Sequence, residues 1–246
     1  MDFMRLKDIS PDAVVFWQWG WVSLNGTIVF TWAVMGLLVL IALLGTINLT
    51  SETRFSRWQN LLEVLIDGMR GQIAEISGEN PRRYLPFVGT LFLFIALSNI
   101  LTVIPGFVAP TASLSTTAAL AILVFVAVPA YGIMDQGLRD YLRHYIRPTP
   151  LMLPFHVMGE LSRTLALAVR LFGNIMSGTK IVAVLLVVMP LVFPVLMQLL
   201  GLLTGLIQAY IFAVLAMVYI ASGTQAIQER QQETAATNEE ESSQES

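Results

Sequence analysis

Residues 155–190 read FHVMGELSRTLALAVRLFGNIMSGTKIVAVLLVVMP. Glu160, Arg163, Arg170 and Lys180 interrupt a run that is otherwise almost entirely apolar or small. The run exceeds the roughly 20 residues needed to cross a ~30 Å hydrocarbon core, so it predicts a long, tilted membrane helix. A charge at bilayer depth costs at least ~2.5–3.5 kcal/mol, and such residues persist where they pair or act. At 3.6 residues per turn, Arg163, Arg170, Asn174 and Ser177 form one polar stripe. Glu160 precedes Arg163 by three residues, the spacing of a helical ion pair. Arg170 has no acid three or four residues to either side. Its guanidinium cannot shed its proton, so it calls for a carboxylate from outside its own helix.

Working outward, Pro190 and Pro194 separate this arm from a second apolar arm that ends near Ser222. The two arms read as a helical hairpin. On the second arm Gly201, Thr204, Gly205, Gln208, Tyr219 and Ser222 share a face. Small residues there let helices approach closely, and Gln208 is within reach of Arg170 or Asn174 across the hairpin. Asn174 and Gln208 read either as ion-path residues or as simple interhelical hydrogen-bonding groups. Lys180 reads as a side chain snorkelling to an interface. His156 and Glu160 have an i, i+4 ligand spacing, but two ligands do not make a metal site, and His144 reads as an interfacial loop residue.

The whole composition agrees with a lipid environment. The chain of 246 residues is 55% hydrophobic and 13% charged, against about 25% charged in soluble domains. There is no cysteine and there are two histidines, which excludes disulfides and thiolate chemistry and argues against a multi-histidine metal centre. The first apolar run, 27–49, follows Trp17, Trp19 and Trp21, which suit a headgroup-level anchor in the extracytoplasmic segment 1–26. No secretory signal peptide is apparent in that segment. Residues 53–78 carry too many charges to span. Their apolar positions have helical spacing, predicting an amphipathic helix on the membrane surface or against other helices. Further crossings are expected over 84–105, 116–140, 150–189 and 191–226, with 227–246 a disordered acidic tail. The fold class is therefore all-α, with five crossings and one surface helix.

Arg54, Arg57, Arg70, Arg82 and Arg83 lie in one loop and Arg139, Arg143 and Arg147 in another, whereas the turn between the second and third runs has no Lys or Arg. This bias predicts cytoplasmic basic loops, an outer N-terminus and a cytoplasmic C-terminus. Arg5 and Lys7 oppose it weakly.

At these residues a family resemblance appears. ALAVRLFGNIMSG (166–178) resembles the signature of F-type ATP synthase subunit a, and IQAYIFAVLAMVYI (207–220) resembles that family's signature on the last helix. ALSNILTVIPGFVAPTASLSTTAALA (96–121) resembles its third and fourth helices and the turn joining them. The resemblance implies an ion-translocating stator subunit of the F0 sector, with no catalysis and no cofactor of its own, in a bacterial plasma membrane. Its implied partners are the c-ring, the peripheral-stalk b subunits and the rest of the F0F1 complex; no nucleic acid is implied. Arg170 then matches the arginine that meets ring carboxylates, Asn174 a half-channel asparagine and Gln208 the last-helix glutamine. Glu160, Arg163 and Ser177 are further candidates for the ion path, and Asn99 falls in the third-helix region. Two positions depart from the family. Thr179 stands nine residues after the arginine and Gly201 seven before the glutamine, where members carry titratable groups. Proton is the expected ion, with sodium open.

A self-contained secondary transporter or channel is the alternative. It needs an internal carboxylate for Arg170 and often an inverted repeat; no convincing repeat is visible. An intramembrane enzyme lacks its motifs here, with no HExxH, no GxSxG and no aspartate pair in the apolar runs.

Overall fold

In the computed structural model of the chain, the described residues are 15–19, 22–47, 57–77, 82–104, 106–137, 152–188 and 193–244. A short antiparallel hairpin, β1 (Val15–Trp19) with β2 (Val22–Asn25), leads directly into α1 (Gly26–Ile47). It pairs Trp17 with Leu24 and Trp19 with Val22. The hairpin is an addition to the expected all-α fold. Val, Phe and Trp favour extended backbone, a preference that the interfacial reading of the tryptophans did not use.

The remaining helices are α2 (Arg57–Ser77), α3 (Leu85–Ile100), α4 (Leu114–Gln136), α5 (Met152–Val188) and α6 (Phe193–Gln244). All but α2 contain an apolar window long enough to cross a membrane, making five candidate spans. The windows of α5 and α6 each run 30 residues, about 45 Å of helix at 1.5 Å per residue. Helix α6 continues to Gln244, so most of the stretch expected to be disordered is helical. No Gly or Pro follows Gly223, and the Gln, Glu and Ala there are good helix formers. The basic loop with Arg139, Arg143, Arg147 and His144 lies outside the described residues, as do Trp21 and the break at Pro190.

Local chemistry sets the helix ends. Pro86 sits in the first turn of α3, where a missing N–H does no harm. The helix tightens into a 3-10 turn at Leu101–Val103 before Pro105, and the chain turns at Gly106 with φ +90. A second 3-10 turn, Pro110–Ala112, brings it back into α4. Helix α4 ends at Gly137, φ 83, whose N–H donates to the Ile133 carbonyl. Within the spans, hydroxyls are satisfied by their own helix. Thr31, Thr90, Ser98, Thr164, Thr179 and Thr204 each donate to the carbonyl four residues back. Lipid offers them no other partner.

Helices α3, α4, α5 and α6 pack together, and α1 adds Val34 to the same core. That core joins Leu91, Phe94 and Ile95 of α3, Val124 of α4, Leu167 and Leu171 of α5, and Ala209 and Phe212 of α6. Nearer α2, a second cluster joins Ile73 to Tyr84, Val88, Val128, Met217 and Ile220. Helix α2 thus docks by its apolar face against α3 and α6. Tyr210 Oη donates to Gln72 Oε1 at 2.7 Å across that joint. An apolar groove of about 400 Å³ remains between these three helices.

Candidate functional site

Helices α5 and α6 run antiparallel, and two contacts fix their register. Asn174 Nδ2 donates to the Thr204 carbonyl at 3.3 Å. The Arg163 guanidinium lies 5.6 Å from the centre of the Tyr219 ring, a cation–π geometry. Stepping four residues in opposite directions from Asn174 and Thr204 brings Arg170 level with Gln208. Stepping eleven from Arg163 and Tyr219 brings Gln208 level with Asn174. Gln208 is therefore level with the stretch between Arg170 and Asn174.

Arg170 is exposed on α5, among outward-facing apolar residues such as Leu165, Val169 and Leu203. Among the described residues, no carboxylate lies within ion-pair distance of it. Gln208 is only 6% exposed, and its Nε2 has no hydrogen-bond partner among the described residues. The two side chains thus share a level but differ in setting, one presented outward and the other held within.

Glu160 and Arg163 pair as their spacing predicts, Oε2 to Nη1 at 3.8 Å. Arg163 also lies over the ring of Tyr219, a partner that helix spacing alone does not reveal. Ser177 shares the exposed face of α5 but turns its hydroxyl back, donating to the carbonyls of Gly173 and Asn174. The expected hydrogen bond from Gln208 to Asn174 or Arg170 is not formed. Asn174 spends its amide on the backbone of Thr204 instead.

The polar stripe expected on α6 divides between two neighbours. Thr204 meets α5, whereas Gly205 meets α3, where Asn99 Nδ2 donates to the Gly205 carbonyl at 3.0 Å. Further along the same seam, Gln198 Nε2 donates to the Thr102 carbonyl at 2.7 Å. The isolated amides in apolar runs and the glycine-rich start of α6 were the available signals for this seam. Thr179 donates within its own helix, and a side chain at Gly201 would meet nothing within 4 Å. Lys180 is exposed. The side chain of His156 lies outside the described set, and no group of three His, Asp or Glu gathers among the described residues.

The arrangement offers a permanent cation on an outward-facing apolar surface, with a buried amide at the same depth. Such a cation can hold an anion brought to it by another molecule and can repel a mobile cation from the same level. Comparison with known proteins gives the family. The family model described as ATP synthase A chain matches residues 28–221. Over 224 residues the chain is 59% identical to ATP synthase subunit a 2 of Acaryochloris marina, covering 91% of this chain and 96% of that protein. It is 56% identical over 216 residues to ATP synthase subunit a 1 of Crocosphaera subtropica, covering 88% and 94%. For ATP synthase subunit a of Nitrosospira multiformis the identity is 53% over 216 residues, covering 88% and 86%.

Proposed function

The chain belongs to the ATP synthase A chain family, and from that premise we propose that Arg170 is the group that couples ion flow to the movement of a neighbouring subunit. The protein is the ion-translocating subunit a of the membrane sector. In this reading Arg170 meets the carboxylates of a rotating c-ring one at a time. Each carboxylate gives up its ion before reaching the arginine and takes another afterwards. While bare, it would be an unpaired charge in low dielectric, which costs several kcal/mol; the guanidinium offsets that cost with a planar, charge-assisted fork. The same fixed charge repels a cation that would pass straight through, so two offset access paths communicate only through ring movement.

The observation that carries this reading is the setting of Arg170: exposed, level with the buried Gln208, and without an acid of this chain among the described residues. A self-contained transporter needs that acid internally, and the described residues do not supply it. Asn174 and Gln208 then tune the depth at which the arginine works, and Ser177 lines the outward face beyond it. Glu160, with Arg163 beside it, sits on the approach from the cytoplasmic side in the expected orientation. The peripheral-stalk b subunits and the remainder of F0F1 complete the assembly, with the N-terminus outside and the C-terminus in the cytoplasm. Proton is the expected ion. Thr179 and Gly201 carry no titratable group, so water or a group at another position serves the outer path.

Crosslinking tests the contact. Cysteines at Ala166, Val169 or Gly173, flanking Arg170, are expected to link to cysteines beside the ring carboxylate in active complexes. If none of the three links while the complexes still pump, Arg170 does not face the ring.

A further inference from the structure

Asn99 and Gly205 bring α3 and α6 into close contact. Asn99 is 4% exposed, and its Nδ2 donates to the Gly205 carbonyl. A Cβ built at position 205 would stand 2.8 Å from Asn99 Cγ, 3.0 Å from Oδ1 and 3.1 Å from Nδ2. Any residue but glycine must therefore push the amide or the helix away. The amide is itself buried, so a Cβ there displaces it from the Gly205 carbonyl. This glycine is needed for a close approach, not for a special backbone angle.

Two helices grip α6 at the same level. Helix α3 holds Gly205 through Asn99, and α5 holds Thr204 through Asn174. Gln208 follows Gly205 by three residues and is buried on the same side. We infer that Asn99 is a positioning residue for ion translocation. Through the Gly205 carbonyl it fixes the rotation and depth of α6, and so keeps Gln208 level with Arg170. This inference rests on the roles proposed above for Arg170 and Gln208. Asn99 touches neither and acts through α6.

The test uses the assembled ATP synthase in inverted membrane vesicles. Asn99→Leu keeps the branched shape and removes the donor, and Gly205→Ala removes the space. Two properties are measured. One is the ATP-driven membrane potential, normalised to assembled complex. The other is the disulfide yield of a cysteine pair at Gly178 and Leu200, one helical turn along the α5–α6 seam from Asn174 and Thr204. Both variants are expected to lower pumping about tenfold, the effect of ~1.4 kcal/mol at the rate-limiting step, and to lower the disulfide yield in parallel. Gly205→Ala can also impair assembly through the overlap itself. The double variant Asn99→Ala/Gly205→Ala removes that overlap and is expected to assemble, with pumping no lower than in Asn99→Ala alone. Unchanged disulfide yield in both single variants overturns the inference, as does a double variant whose losses simply add. Loss of the disulfide with wild-type pumping overturns the roles of Arg170 and Gln208, and the inference with them.

Discussion

Replacing Arg170 by glutamine removes the charge and leaves a hydrogen-bonding amide, so it isolates the electrostatic contribution. Removing one partner of a desolvated ion pair costs about 3–5 kcal/mol, because the other charge is left bare. At 1.36 kcal/mol per decade, that slows the step in which a carboxylate passes the stator by about two to nearly four orders of magnitude. A membrane potential of 100 mV supplies only about 2.3 kcal/mol per charge and cannot restore it. Arg163 provides the control on the same helix. Its side chain is 53% exposed and lies 3.8 Å from Glu160, with the Tyr219 ring 5.6 Å away. A screened pair contributes up to about 1 kcal/mol, and the ring contact about 0.5–1 kcal/mol more. Arg163→Ala should therefore cost less than about thirtyfold. Arg170→Lys should fall with the glutamine variant, since lysine lacks the planar fork and can lose its proton. The assay is ATP-driven potential in inverted vesicles, read with a potential-sensitive dye that responds to either cation and normalised to assembled complex. Pumping by Arg170→Gln within tenfold of wild type, at equal assembly, would refute the reasoning.

Two further outcomes are expected. Gln208→Leu fills the same buried volume and removes an amide nitrogen that has no partner among the described residues, so assembly should be kept while pumping falls about tenfold or more; wild-type pumping would reduce Gln208 to a packing residue. Because the chain has no cysteine, Ser23→Cys and Ser242→Cys report topology directly: an impermeant maleimide should label position 23 from outside and position 242 from the cytoplasmic side, and the reverse pattern would overturn the orientation.

How much of this was legible beforehand differs from element to element, for physical reasons. The spans could be read because lipid demands long apolar runs, and α3, α4 and α5 meet that demand with few charges or none. The pairing of Glu160 with Arg163 could be read because helix geometry alone brings i and i+3 together. The seam between α3 and α6 could not. Asn99 and Gly205 are 106 residues apart, and nothing local says which neighbour a glycine face will meet. Of the stripe on that face, Thr204 and Tyr219 meet α5, whereas Gly205 meets α3. The sequence places Gln208 within reach of Asn174, but the partnerless state of its Nε2 among the described residues depends on Asn174 choosing a backbone carbonyl instead. The strands at Val15–Trp19 and Val22–Asn25 escaped notice because aromatic residues before an apolar run also suit a membrane interface.

Four side-chain hydrogen bonds cross from α6 to its neighbours between Gln198 and Tyr210. These bonds form one short collar beside Arg170 that resists sliding and twist of α6. A sideways load from a turning neighbour would be carried into α2, α3 and α5 through that collar.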